Sequence, residues 1–267
     1  MPAVLFDNDL RLLRRDRAAR LGPELFLYER VFEDCLERIE AIPRRFGRAL
    51  LIGCPGRSFV DRLKAVAGHV EAMDPGPLFA ASAGGRQVIE HAWQPEPGRY
   101  DLVTAIGTLD TAGDLPRALL AIRLSLAEDG LLVGAFAGGE TLPQLRAAMR
   151  AADQVSGSAA PHVHPRVEPS ALAGLLSVAG FERPVVDVDR VAVSYASLDR
   201  LVADLRRMAA TNVLSERSRR SLSRRERDAA TKAFAAAGNG GRTVETFEIL
   251  HLAGWAGALL GSRVTGH

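Results

Sequence analysis

Gly53-Cys54-Pro55-Gly56 is the stretch whose residue types and spacing most directly suggest a binding site. It follows a short apolar run, Arg48-Ala-Leu-Leu-Ile52, and precedes a segment with helical spacing. An apolar strand that breaks into a glycine turn before a helix is how doubly wound α/β folds begin a nucleotide-type site. Two residues depart from that pattern. Pro55 removes a backbone donor and fixes φ near −65°, and Arg57 carries a Cβ where close approach is wanted. His162 and His164 stand two apart like metal donors, but no third Cys, His or acid has a matching spacing, so no metal site is assigned. Arg217–Arg227 holds six arginines in eleven residues and could grip an acidic partner or nucleic acid. With Glu216, Glu226 and Asp228 beside it and no interleaved aromatics, it reads instead as a solvated helical face.

These residues need a scaffold, and 267 residues at 47% hydrophobic and 25% charged suffice for one large α/β domain. A net charge of +2 argues for neither nucleic acid nor an acidic membrane. Cys35 and Cys54 make no disulfide framework, which fits a reducing compartment. No apolar run approaches the roughly 18–20 residues of a membrane span, and the first residues carry charges with no signal-peptide core. The expectation is a cytoplasmic protein.

Periodicity places the elements. Residues 8–21 read as a helix with Leu10, Leu13 and Ala18 on one side, and residues 23–42 as a second with Leu27, Val31, Cys35, Ile39 and Ile42 as its apolar stripe. From Arg48 the pattern becomes alternately strand and helix. Strands are expected near 48–52, 69–73, 86–90, 100–106 and 131–136, with helices near 57–67, 77–83 and 114–126 between them. Helices at 141–154 and 168–179, a strand at 183–195, a helical stretch over 197–237 and a last strand at 243–255 follow. Strands alternating with helices indicate a parallel sheet with right-handed crossovers. There is no internal repeat.

Asp114-Leu-Pro-Arg-Ala-Leu, Glu128-Asp-Gly-Leu-Leu-Val-Gly-Ala-Phe-Ala-Gly-Gly-Glu-Thr-Leu142, Pro161-His-Val-His-Pro165, Ala179-Gly-Phe181, Asp204-Leu-Arg-Arg-Met208 and Asn212 occur in that order. With them the chain resembles class I methyltransferases, and within them the subfamily of the malonyl-carrier-protein methyltransferase of biotin synthesis. Phe6-Asp-Asn-Asp-Leu10, Arg17-Ala-Ala-Arg20 and Glu245-Thr-Phe-Glu-Ile-Leu-His-Leu-Ala-Gly-Trp255 resemble more closely the mitochondrial complex I (NADH dehydrogenase) assembly factor and its bacterial relatives. The resemblance implies a Rossmann-like, doubly wound seven-stranded sheet whose last strand is antiparallel, with N-terminal helices and a helical insertion between strands six and seven. It divides the chain into an N-terminal helical segment (1–45), a methyltransferase-like domain (46–257, its insertion or lid at 197–242) and a tail (258–267).

The resemblance also implies S-adenosylmethionine (SAM) as the cofactor, held by Gly53, Cys54, Gly56, Arg57, Asp74 and Glu90. Asp74 stands where the family places the acid that takes both ribose hydroxyls, a task suited to a carboxylate; the other reading is an Asp-Pro turn residue. The acid that accepts from the adenine amino group falls on Ile89, leaving Glu90 one place late, and one step along a strand flips the side chain to the other face. Glu90 is thus either an adenine contact or a solvated edge residue, and His91 a surface histidine. Where the family has an acid in strand one and Gly-Cys-Gly-x-Gly after it, this chain has Leu51 and Pro55. Losing the acid costs about 1.5–3 kcal/mol and the missing donor about 1 more, roughly 10²–10⁴ in affinity unless compensated. Gly56 restoring the turn and Arg57 reaching the methionine carboxylate are the compensations open to it. Asp110 replaces the family's histidine after strand four, as a general base or as a plain loop residue. Tyr195, Asp204, Arg206 and Asn212 fall by the insertion, as lid or substrate-side residues or as a surface helix.

Two functional readings follow. One is a SAM-dependent methyltransferase-like enzyme acting on a protein or acyl-carrier substrate, with a link to respiratory complex I assembly and no assigned catalytic residue. The other is a non-catalytic assembly module that has lost or weakened SAM binding. Methyl transfer needs little acid–base chemistry, so the lack of a catalytic dyad does not separate them.

Overall fold

The structure is a computed structural model and describes residues 5–157 and 159–257. The tail expected at 258–267 lies outside the described residues. In chain order the elements are α1 (Asn8–Leu21), α2 (Phe26–Glu40), β1 (Phe46–Ile52), α3 (Arg57–Leu63), β2 (Ala67–Asp74), α4 (Pro77–Ala83), β3 (Arg86–Gln87), β4 (Tyr100–Ile106) and α5 (Leu115–Ser125). They continue with β5 (Leu126–Ala137), α6 (Pro143–Ser156), α7 (Pro169–Val178), β6 (Phe181–Tyr195), α8 (Leu198–Arg207), α9 (Arg224–Ala236) and β7 (Thr243–Ala256).

The strands form one seven-stranded sheet in the order β3-β2-β1-β4-β5-β7-β6. β1 to β5 pair in parallel, with Leu51 opposite Ala72 and Thr104. β7 runs antiparallel to both β5 and β6. This is the expected sheet, and its strand order reverses between β1 and β4. The parallel strands are buried on both faces by continuous apolar runs: Ala49, Leu50, Leu51 and Ile52 in β1, and Leu102, Val103, Ala105 and Ile106 in β4 are all covered.

The residues group into two compact units. A strand-rich unit takes Leu25–Phe136, Glu168–Val188 and Leu250–His267, and a helix-rich unit takes Met1–Glu24, Ala137–Val167 and Asp189–Ile249. In the strand-rich unit α2 buries Val31, Phe32, Cys35, Leu36 and Ile39, close to the expected stripe, and Phe32 packs on Phe59 of α3 at 4.9 Å between ring centroids.

In the helix-rich unit one expectation fails. The buried side of α1 is Arg11, Arg15 and Ala18, while Leu13 is 64% exposed. Its N-terminus is fixed by Asp7, whose carboxylate accepts from the Leu10 N–H at 3.0 Å. The helical stretch expected over 197–237 consists of two helices, the first of which, α8, stops in a Schellman turn. Ala209 adopts φ +57°, its N–H donates to Arg206 O and the Ala210 N–H donates to Leu205 O. After an irregular stretch, α9 restarts at a capping box in which Ser223 and Glu226 each accept from the other's N–H.

Candidate functional site

In open α/β sheets, ligands bind outside the carboxyl ends of the strands where the strand order reverses. Here that place is the end of β1 beside β4, with β2 on the other side of β1. Ile52 lies opposite both Met73 and Ala105, so Gly53, Asp74 and Ile106 leave three adjacent parallel strands at the same level. All belong to the strand-rich unit.

Gly53 is fixed by conformation and by space. Its φ is +78°, its N–H donates to Met73 O at 2.9 Å, and a Cβ would stand 2.0 Å from Ile106 O. Cys54 is buried, and its thiol donates to Gly56 O at 3.1 Å, bracing the turn around the buried Pro55. Gly56 has extended backbone, φ 179°, and a Cβ there would meet only Ser58 Oγ at 4.0 Å. The face of the turn at Gly56 is open. Arg57, the first residue of α3, points its guanidinium at Asp61 (3.4 Å) and donates to Ala83 O at the end of α4 (3.5 Å).

Asp74 ends β2 and is fully buried, and its Oδ1 accepts from the Gly76 N–H at 2.7 Å. Glu90 is not where strand alternation would put it, because β3 stops at Gln87. The Val88 N–H donates to Asp74 O, the chain turns with Ala92 N–H donating to Ile89 O, and Glu90 is carried inward to 2% exposure while Ile89 is half-buried. The face-flip argument therefore does not apply to it.

After β4 the chain turns at Gly107, φ +62°, where a Cβ would stand 2.4 Å from the ring of Tyr28. Tyr28 of α2 is a wall that sequence reasoning missed; an aromatic one turn into an amphipathic helix gives no signal apart from core packing. Thr108 is buried, Leu109–Thr111 forms a 3-10 turn, and Asp110 is half-exposed on it. His91 lies over the following loop, its ring 3.0 Å from a Cβ placed on Gly113. The 88–91 turn thus meets the 107–113 loop.

Tyr195, Asp204, Arg206 and Asn212 belong to the helix-rich unit. Tyr195 is buried, and burial first and the Asp204 carboxylate second push its hydroxyl well above the usual tyrosine range. Arg206 is exposed on α8. Asn212 is occupied with backbone: its Nδ2 donates to Pro161 O at 2.7 Å and its Oδ1 accepts from the Leu214 N–H at 3.0 Å. His162 Nε2 lies 2.8 Å from Asp153, and the buried His164 accepts the Val213 N–H at 2.9 Å.

The strand ends therefore offer a glycine where backbone can approach a ligand, a buried carboxylate that can accept hydroxyls, a second buried carboxylate and an aromatic wall. Among known proteins, a family model described as "Methyltransferase domain" matches residues 25–186. The chain is 30% identical over 278 residues to "Arginine-hydroxylase NDUFAF5, mitochondrial" of Mus musculus, covering 94% of this chain and 77% of that one. It is 34% identical over 145 residues to a "Malonyl-[acyl-carrier protein] O-methyltransferase" of Xylella fastidiosa, covering 54% of this chain and 47% of that one. A putative methyltransferase from Bacillus halodurans has a similar fold, with a TM-score of 0.58 at 12% identity over 85% of this chain and 99% of that one.

Proposed function

Because this chain belongs to the methyltransferase-domain family, we propose that it binds SAM at the β1–β4 strand ends and modifies a group presented by a protein or acyl-carrier substrate in the cytoplasm. The methyltransferase domain implies SAM as the cofactor, which when bound supplies a methyl group on a sulfonium, already a good leaving group. The observation that carries the reading is the pairing of Gly53, whose Cβ position is filled by Ile106 O, with the fully buried Asp74 on the adjacent strand.

In this reading Asp74 accepts ribose hydroxyls, while its Oδ1 stays oriented by the Gly76 N–H. Glu90 accepts from the adenine amino group. The open backbone at Gly56 admits the methionine portion, and Tyr28 over Gly107 helps close the site to water. Catalysis then rests on alignment of the substrate nucleophile, with no proton relay required of the chain. The two relatives are named for different reactions, arginine hydroxylation and O-methylation of a carrier-bound malonyl group. On this reading the arginine, like the carrier-bound malonyl group, is displayed by a protein. Methyl transfer follows the domain, and a link to complex I assembly follows the resemblance at both ends of the chain; recovery of complex I subunits in a pull-down tests the latter.

A second reading, an assembly module with weakened SAM binding, is favoured by specific residues. Leu51 is a buried apolar residue in β1 where an acid is wanted, Pro55 has no donor, and Arg57 is turned toward Asp61 and Ala83. Calorimetric titration with SAM and S-adenosylhomocysteine decides. The enzyme reading expects saturable binding, weakened about 10- to 150-fold by Asp74→Asn, which removes the charge and keeps an acceptor for Gly76. No heat at millimolar ligand would leave the assembly module, and unchanged affinity in the variant would refute the ribose role.

A further inference from the structure

The helix-rich unit contains a cavity of about 100 Å³ that the proposed function does not use. Leu142, Leu145, Val202 and Leu205 make its apolar wall, and His162, Arg166 and Asn212 bring polar atoms to it. No carboxylate is among these lining residues, and the Asp153 carboxylate stands behind His162, 2.8 Å from its Nε2. At roughly 10–15 Å³ for each water-sized probe, such a volume holds about seven to ten small groups. It is too small for a nucleotide and suits a molecule of fewer than about ten heavy atoms.

Hydrogen bonds tie the wall together without any ligand. Leu142 is held at φ +62° with its N–H donating to Thr246 O at 2.8 Å, and the Leu145 N–H donates to the Glu245 carboxylate at 2.8 Å. Asn212 ties Pro161 to Leu214, and His164 accepts the Val213 N–H, so the loops at 161–166 and 210–214 are stitched to each other. A leucine at positive φ persists only where its surroundings over-determine it, and a pre-organised cavity loses little entropy on binding.

We propose that this cavity is a binding site for a short-chain carboxylate, its apolar chain against the four aliphatic residues and its carboxylate on the Arg166 guanidinium. Arginine recognises a carboxylate through paired N–H donors. The local field has the right sign: burial first, then Arg166 and Arg146, push the His164 imidazole down to about 3. His164 is therefore neutral, and Arg166 and Arg146 are the charges that act on it. A primary ammonium would be repelled there. A neutral amide of the same shape would fill the volume and forgo the charged bond.

The test uses the full chain and three isosteric probes, butyrate, butyramide and butylammonium, titrated by calorimetry and saturation-transfer NMR. Butyrate is expected to bind at least about tenfold more tightly than butyramide, the ratio a charge-assisted bond gives, with butylammonium weakest. Arg166→Met should bring butyrate down to the level of butyramide. Val202→Phe keeps the arginine and fills the cavity, so it should abolish binding of all three even if the arginine variant folds poorly. Equal affinity for butyrate and butyramide, no binding of any probe, or butyrate binding that survives both variants would overturn the proposal.

Discussion

At Gly53 two constraints coincide, a φ of +78° and a carbonyl oxygen 2.0 Å from where a Cβ would lie, whereas at Gly56 neither applies. Left-handed strain of about 1–2 kcal/mol and overpacking of about 1–3 kcal/mol lead us to expect Gly53→Ala to destabilise the fold by roughly 2–5 kcal/mol in urea unfolding. Gly56→Ala should leave stability within about 1 kcal/mol and still weaken SAM binding, because the added methyl faces the open side of the turn. Equal stability loss in the two variants would contradict the geometry, and full SAM affinity in Gly56→Ala would remove that residue from the site. The strand-end positions of Gly53 and Asp74 were legible, the first from the apolar run Ala49–Ile52 and the second from the family resemblance. Glu90 was half legible: its type suggested a contact, but its inward direction depends on a turn at 88–92 that nothing in Arg86–Glu90 announces. Tyr28 was not legible, since its role exists only once Gly107 is brought beneath its ring.

Among the elements, those with local signals came through and those fixed from a distance did not. Asp7, Asp114 and Ser223 each cap a helix with their own side chain and mark its start in the sequence. The end of α8 has no such mark, because the left-handed position of its Schellman turn is Ala209 instead of glycine. The start of α6 is hidden in another way. Its N-cap, Leu142, has no acceptor, and the first-turn donors of Gln144 and Leu145 are taken by the Glu245 carboxylate of β7 at 3.2 and 2.8 Å. A carboxylate also opposes the positive end of the helix dipole. Glu245→Ala should orphan both donors and lower stability by about 1–3 kcal/mol in chemical denaturation, and Glu245→Gln, which keeps one acceptor, should recover part of that. If alanine and glutamine cost the same, the remote cap is not what holds the helix.

For the molecule as a whole, alternation of apolar runs and helical stripes was enough to give a parallel sheet, because each parallel strand must be apolar on both faces and each crossover must return the same way, whereas the seven strands and the antiparallel last one were implied by the family resemblance. Buried titratable groups were less legible: α1 turns arginines inward where leucines were expected, and the neutral His164 packs edge-on to Phe6 at 5.3 Å between ring centroids. That histidine gives the acid stability of the chain a sign. Its folded value of about 3 lies below the ordinary value near 6.5, so between those pH values the unfolded chain binds a proton that the folded chain refuses. Stability should be complete above pH 6.5 and fall as pH drops toward 3, by up to about 4–5 kcal/mol from this group. Asp7, held below the usual carboxylate range first by the Leu10 N–H and then by Arg217, loses stability in the same direction but lower on the scale. Comparing the wild type with His164→Gln separates the two, since glutamine accepts the Val213 N–H without titrating and the carboxylates are common to both proteins. Urea unfolding at pH 7, 5.5 and 4.5 should show the wild type losing stability faster than the variant, and parallel curves would mean that His164 takes up its proton without unfolding the chain.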